Sequence, residues 1–280
     1  VALLSLYDEG RFQLDDDVNN YLPFSVRSPD YSNTPVTFRM LLPHSSGIAD
    51  GAALDDEYHY GQDSPKPLGE FLEAYLVPGG GDYDASDNFH SFAPGTKYEY
   101  SNVGSALAGF LVEASSGQPF DEYCCQRLFV PLGMTRTAWR LQNINSTIVQ
   151  PIDARDGVID HYTFTDYPNG ALRTTPRDLF QLYKIFIDQG RSNGQQILAR
   201  GTVAEMVRPQ IPQLDNEVGL HIFLMNSERE LWGHDGGEQG VVTYTGFNVT
   251  QQTGVIVFSN YSDADLEGIA LATYDYSVEE

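Results

Sequence analysis

Toward the C-terminal end the hydrophobic pattern changes period, and this limits the possible folds more than any other feature. The runs "VVTYTGFNV" and "GVIVFSN" are rich in β-branched and aromatic residues. They are joined by the polar "TQQT", so together they read as an antiparallel hairpin. The clear periodicity before them is helical. "VALLSLYDEG" has the spacing of the last turns of a buried helix, stopped at Gly10. Thr37 reads as the N-cap of "FRMLL", which breaks at Pro43. Residues 49–96 read as long loops carrying one short helix, "LGEFLEAYL". A helix follows "YSN", with Leu107, Phe110, Leu111 and Ala114 on one face and Gly117 as its end. "PFDEYCCQRLFV" is a second, opened by Pro119. "TTPRDLFQLYKIFIDQG" is a third, capped by Thr175, opened by Pro176 and closed by Gly190. "DADLEGIALATYDY" reads as a closing helix after the hairpin. The expected architecture is α/β: an antiparallel sheet flanked by helices plus a mostly helical lobe. No repeat or low-complexity linker marks a second domain. Residues 1–280 therefore read as one domain, with a loop-rich helical lobe at about 10–170 and the sheet with its flanking helices at about 171–280.

Hydrophobic residues make up 41% and aromatics 12% of the 280 residues, which is globular rather than disordered composition. With 39 acidic against 16 basic residues, the formal charge is -23. Such a chain repels nucleic acid and anionic membrane surfaces and slows the approach of anionic substrates. No apolar run is long enough to span a bilayer. Cys124 and Cys125 are adjacent, which suits neither a disulfide framework nor zinc. The six histidines show no metal-ligand spacing, and no cofactor motif is present. Sequons stand at Asn145, Asn248 and Asn260. Neither the oligomeric state nor the compartment can be read from composition.

Two stretches carry candidate chemistry: "EYSNVG" around Tyr100 and "WGHDGGEQGVV" around His234. Alone, each has a plain structural reading. Tyr100 suits a helix entry capped by Ser101 or Asn102, and His234 suits a glycine-rich turn before a strand. Asp235, His234 and Glu238 make a weak cation site.

In order and in context, these stretches resemble the serine β-lactamase-like family: class C β-lactamases, penicillin-binding D,D-peptidases and related esterases. "LYDEGRFQLDDDVNNYLP" is similar to the family's segment after its nucleophile helix. "VTFRMLLPHSSGI" is similar to its I-T-I-R-x-L-L-T-H-T-S-G-L segment, with Pro43 in place of the usual Thr. "FAPGTKYEYSNVGSALAGFLVEASSGQPFDEY" resembles the Tyr-x-Asn element and the helix after it. "LFVPLGMTRTAW" resembles the P-L-G-M-x-x-T run, and "YPNGALRTTPRDLF" the G-G-L-x-S-T-x-x-D-L stretch, with Ala171 in place of the second Gly. "GHDGGEQGVV" sits where the family carries Lys/His-x-Gly at the sheet edge.

The resemblance implies a β-lactamase/transpeptidase-like fold and a serine hydrolase forming an acyl-enzyme. The Ser-x-x-Lys pair is expected roughly five to ten residues ahead of Val1, and the family's N-terminal strands are then missing too. None of Lys66, Lys97 and Lys184 has a Ser three residues before it. The resemblance makes Tyr100, Asn102 and His234 the catalytic candidates. Tyr100 would serve as base if cations, the lysine or a protonated His234, favour its phenolate. Asn102 would donate to the substrate amide carbonyl. Gly237 would offer a backbone N–H to the oxyanion hole, and Gly236 would let substrate approach closely. Asp235 stands where the family often carries a hydroxyl that helps bind the β-lactam carboxylate, so it should disfavour anionic β-lactams. That ranks an ester or a D-amino-acid-type amide above a β-lactam as substrate. His44 is expected to be structural, and Ser45 and Ser46 to be turn residues. No metal or other cofactor is implied. Partners are a small ester, β-lactam or peptide, with no nucleic acid. The expected location is periplasmic or secreted. The alternative function is a non-catalytic relative that binds peptides or cell-wall fragments in the same groove.

Overall fold

A computed structural model describes residues 1–279. Four antiparallel strands form the main sheet: Phe223–Asn226, Leu231–Glu238, Val241–Asn248 and Thr253–Ser259, adjacent in chain order. The expected hairpin forms one side of it, with Thr253–Ser259 as an edge strand, Asn248 opposite Thr253 and Val242 opposite Ser259. Gln252 takes a left-handed backbone, φ 55°, at the turn.

The helical signals translate into local hydrogen bonds. Thr37 and Thr175 side chains accept from the Met40 and Asp178 amides, capping the helices Phe38–Leu41 and Pro176–Ile187. Ser101 caps the helix Asn102–Ser116 through the Gly104 amide, and Gly117 ends it at φ 73°. Only a residue that tolerates the left-handed region closes a helix this way without strain. The first helix runs Ala2–Asp8 with Leu3, Leu4 and Leu6 buried. The helix expected from Pro119 is interrupted. Phe120–Cys124 and Val130–Leu132 are α-helical, but Cys125–Phe129 between them is a π turn. Pro131 in the following turn has no N–H to give. The C-terminal helix is Glu267–Glu279.

Residues 49–96 hold more structure than loops and the helix Leu68–Leu76. Ala52–Glu57 is a 3-10 helix, and Tyr58–Tyr60 is a strand paired antiparallel with Tyr162–Phe164. This small ladder docks on the far end of the main sheet. The Tyr58 hydroxyl donates to Glu238 at 2.8 Å, and the Tyr162 hydroxyl to the Gln239 carbonyl at 2.8 Å.

The larger core runs from Ala2 to Phe247 and includes residues on both sides of position 170. A smaller one, with Leu231, Tyr244, Leu266 and Tyr274, lies between the sheet and the C-terminal helix. No helix among the described residues is long and apolar enough to cross a membrane. Thr175→Ala should lower stability by about 1 kcal/mol, the usual worth of an N-cap hydroxyl, with the loss read from urea unfolding.

Candidate active site

The site is built where the start of the Asn102–Ser116 helix meets the Leu231–Glu238 strand. Tyr100 lies just ahead of the Ser101 cap. His234 lies mid-strand, opposite Thr245. The two rings meet edge-to-face with centroids 6.3 Å apart. Thus residues 134 positions apart in the chain share one face.

The strand is held from behind. The Thr245 hydroxyl donates to the His234 carbonyl at 2.5 Å and is itself bonded to the buried Tyr183 hydroxyl. Gly233 is required there, since a Cβ would stand 2.0 Å from the Thr245 carbonyl oxygen. On its other side, Leu231–Gly233 pairs with Phe223–Asn226. That pairing stops at Gly233, so His234–Glu238 presents an open edge. The expected sheet-edge position is thus half right: the strand is internal up to Gly233 and an edge beyond it. Gly237 has no atom within 4 Å of where a Cβ would stand, while at Gly236 the Thr243 hydroxyl lies 2.6 Å away.

Asn102 sits at the first helical position but its side chain is engaged. Its amide Nδ2 donates to Asp50 Oδ2 at 2.9 Å. Asp50 also accepts from the Asn102 and Val103 amides, at 2.8 and 3.0 Å, and from the Ser101 hydroxyl at 3.0 Å. A carboxylate on the free N–H groups of a helix start is a stabilising arrangement. Asp50→Ala should cost about 1–2 kcal/mol in urea unfolding and release the Asn102 amide.

The electrostatics of Tyr100 differ from the sequence expectation. Burial raises its pKa to about 12, the Asp50 carboxylate adds to the rise, and a bond with Ser105 opposes it; Asp235 and Tyr98 also raise it. The phenol is therefore protonated at neutral pH. No cation is among the groups acting on it within these residues; burial first, then the Asp50 and Asp235 carboxylates, favour the protonated form.

Three further rings complete the site, and sequence reading gave none of them a functional part. His44 stacks on Tyr100 with centroids 4.3 Å apart, and His221 stacks on His44 at 5.1 Å. Phe223 lies 5.0 Å from His234. His44 Nδ1 accepts from the Ser101 amide at 3.2 Å, which puts the proton of the neutral ring on Nε2. Burial, then repulsion from His221 and His234, holds its pKa well below the usual range. His221 is pushed down to about 3, first by burial and then by His234. Both are neutral imidazoles in left-handed backbone positions, φ 55° and 56°. His44 Nε2 and His221 Nδ1 are buried without hydrogen-bond partners.

Asp235 leaves the strand on the face opposite His234, because strand side chains alternate. Its carboxylate is 70% exposed and reaches within 3.8 Å of His234 Nδ1 around the edge. Ser45 and Ser46 are buried, and Ser45 donates to the Met40 carbonyl. Among the described residues no cluster of three or more His, Cys, Asp or Glu is placed to hold a metal ion.

Comparison with known proteins bears on the family and the fold. The family model described as Beta-lactamase matches residues 1–278. The chain belongs to the Beta-lactamase family. Protein flp of Staphylococcus aureus (strain MRSA252) is 24% identical over 275 residues, covering 93% of this chain and 50% of that protein. The chain therefore spans about half the length of the curated relatives it matches. A penicillin-binding protein homologue from Pyrococcus abyssi, described as octameric, superposes with a TM-score of 0.73 at 22% identity, covering 100% of this chain and 63% of that one. A D-stereospecific amidohydrolase from Streptomyces sp. superposes with a TM-score of 0.71 at 24% identity, covering 98% and 82%. The Beta-lactamase-family chain thus has the β-lactamase/transpeptidase-like α/β fold expected from its sequence.

Proposed function

We propose that this Beta-lactamase-family chain is the substrate-binding part of a serine hydrolase that works through an acyl-enzyme on an ester or a D-amino-acid-type amide. The single observation that carries this reading is the meeting of Tyr100 and His234 at 6.3 Å across the open half of one strand. An extended amide laid on that edge pairs with the strand backbone. The Gly237 N–H then serves an oxyanion hole, where a fixed donor is worth a large rate factor. Gly236 keeps the approach clear. Asn102, once turned from Asp50, donates to the amide carbonyl. Tyr100 relays a proton: its phenol oxygen takes up the proton of the attacking serine as its own hydroxyl proton passes to the leaving group, so the ring ends the step protonated. The Ser45 and Ser101 hydroxyls are engaged as donors to Met40 and Asp50. The nucleophile in this reading is the serine of the Ser-x-x-Lys pair that the family resemblance implies.

The exposed Asp235 carboxylate argues against an anionic β-lactam, and a D-stereospecific amidohydrolase of the same fold supports amides as the class. An extracytoplasmic place of action goes with this reading. The test is acylation of the full-length gene product by a fluorophosphonate or a fluorescent penicillin. A covalent adduct supports the hydrolase, and its complete absence from folded full-length protein overturns it.

One observation favours a second reading, a non-catalytic binder of peptides or cell-wall fragments. Tyr100 is held as a phenol by burial and by the Asp50 carboxylate, and Asn102 is tied to Asp50. Such a protein would bind extended peptides at the open edge and form no adduct.

A further inference from the structure

The face of the sheet turned away from Tyr100 holds a second site. Asp235 lies opposite Tyr244 on the neighbouring strand, so the two side chains share that face. Between them and the segment entering the C-terminal helix is a cavity of about 360 Å³. Its walls include Asp235, Tyr244, Asp265 and Glu267, and no basic side chain. Tyr244 is 5% exposed, yet its hydroxyl has no hydrogen-bond partner. A buried hydroxyl left unpaired is costly and calls for a partner. Burial first, then the Glu267 and Asp235 charges, outweigh the opposing Arg229 charge and hold this phenol protonated, so its oxygen is a neutral acceptor.

Three carboxylates with one neutral acceptor and no basic side chain in the walls describe a receptor for a cation. A metal ion is the wrong guest, since no group of ligands among the described residues closes around one. An ammonium ion on an aliphatic stem suits better: it brings several N–H donors and an apolar shaft for a cavity also lined by Met225 and Leu266. Access comes from the open strand edge. A ligand extended along His234–Glu238 sends alternate side chains to the two faces, one toward Tyr100 and its neighbour toward this cavity.

We propose that the cavity between Asp235, Tyr244 and Glu267 is a subsite for an aliphatic ammonium group on a substrate laid along the open edge. The inference rests on the hydrolase reading only for the placing of that substrate. The subsite takes a lysine-like side chain and rejects its carboxylate counterpart.

Binding tests it without any need for turnover. N-acetyl-lysine amide and N-acetyl-norleucine amide, each in both configurations, are titrated into the full chain by calorimetry at low salt. In at least one configuration the lysine derivative should bind about tenfold more tightly, a difference of about 1.4 kcal/mol. Asp235→Asn should abolish that preference, and Tyr244→Phe should weaken lysine binding several-fold. Diffuse attraction to a chain of charge -23 would survive either single substitution. A preference that persists in Asp235→Asn, or no preference in either configuration, overturns the proposal. Acylation of full-length protein without lysine preference would keep the hydrolase and remove only this subsite. Lysine preference without acylation would do the reverse.

Discussion

Tyr100→Phe is expected to lower the acylation rate of the full-length protein roughly 10²–10⁴-fold, the usual worth of a positioned proton donor or acceptor. Its Tm should stay close to the parent value. The ring is 38% exposed, and a phenylalanine keeps the stack on His44, so only the hydroxyl is lost. The measurement is the rate of labelling by a fluorophosphonate, beside a thermal melt. Unchanged labelling would take the hydroxyl out of the chemistry. A collapse in Tm would make the effect structural instead.

The second large effect is on stability. Asp166 is buried beside Asp50, Glu238 and Glu57, and its pKa is raised from 3.8 to about 7, mainly by burial. The folded protein therefore holds this proton more tightly than the unfolded chain does. Stabilisation from the protonated form is complete below about pH 4 and is lost as pH rises through about 7. Asp166→Asn removes that loss while keeping an oxygen for the Asn169 amide, which Asp166 accepts at 2.5 Å. The variant should gain a few kcal/mol over the parent at pH 8 and close to nothing at pH 4. Chemical denaturation at the two values reads the difference. An equal effect at both pH values would show that Asp166 does not titrate in this window.

What could be read from sequence divides by the range of the interactions. Thr37, Thr175 and Gly117 act on backbone groups within a few residues, so their helix ends were legible. The hairpin was legible for the same reason. The Tyr58–Tyr60 strand was not. It is three residues long and its partner, Tyr162–Phe164, lies about a hundred residues away, so neither has a local pattern to show. The π turn at Cys125–Phe129 leaves the hydrophobic spacing of a helix nearly intact, which hides it. Tyr100 and His234 were found through motif resemblance, and the structure brings them together. Their setting was hidden: Asp50 on the helix start, His221 and Phe223 beside the strand, and the stack of His44 on the phenol are contacts between distant segments. The direction of the Tyr100 pKa follows from burial first and from the Asp50 carboxylate second. Motif resemblance alone points only to cations beside the phenol.

The strand segment His234–Glu238, paired on one side only, also bears on how copies of the protein behave toward each other. Bare backbone of this kind is a template on which a second molecule can zip, the first step toward an aggregate. Two glycines and an exposed aspartate there favour neither a flat nor an oily contact, and two molecules of charge -23 repel at neutral pH. Colloidal loss should therefore begin in concentrated salt or mild acid, where that repulsion is screened or titrated away.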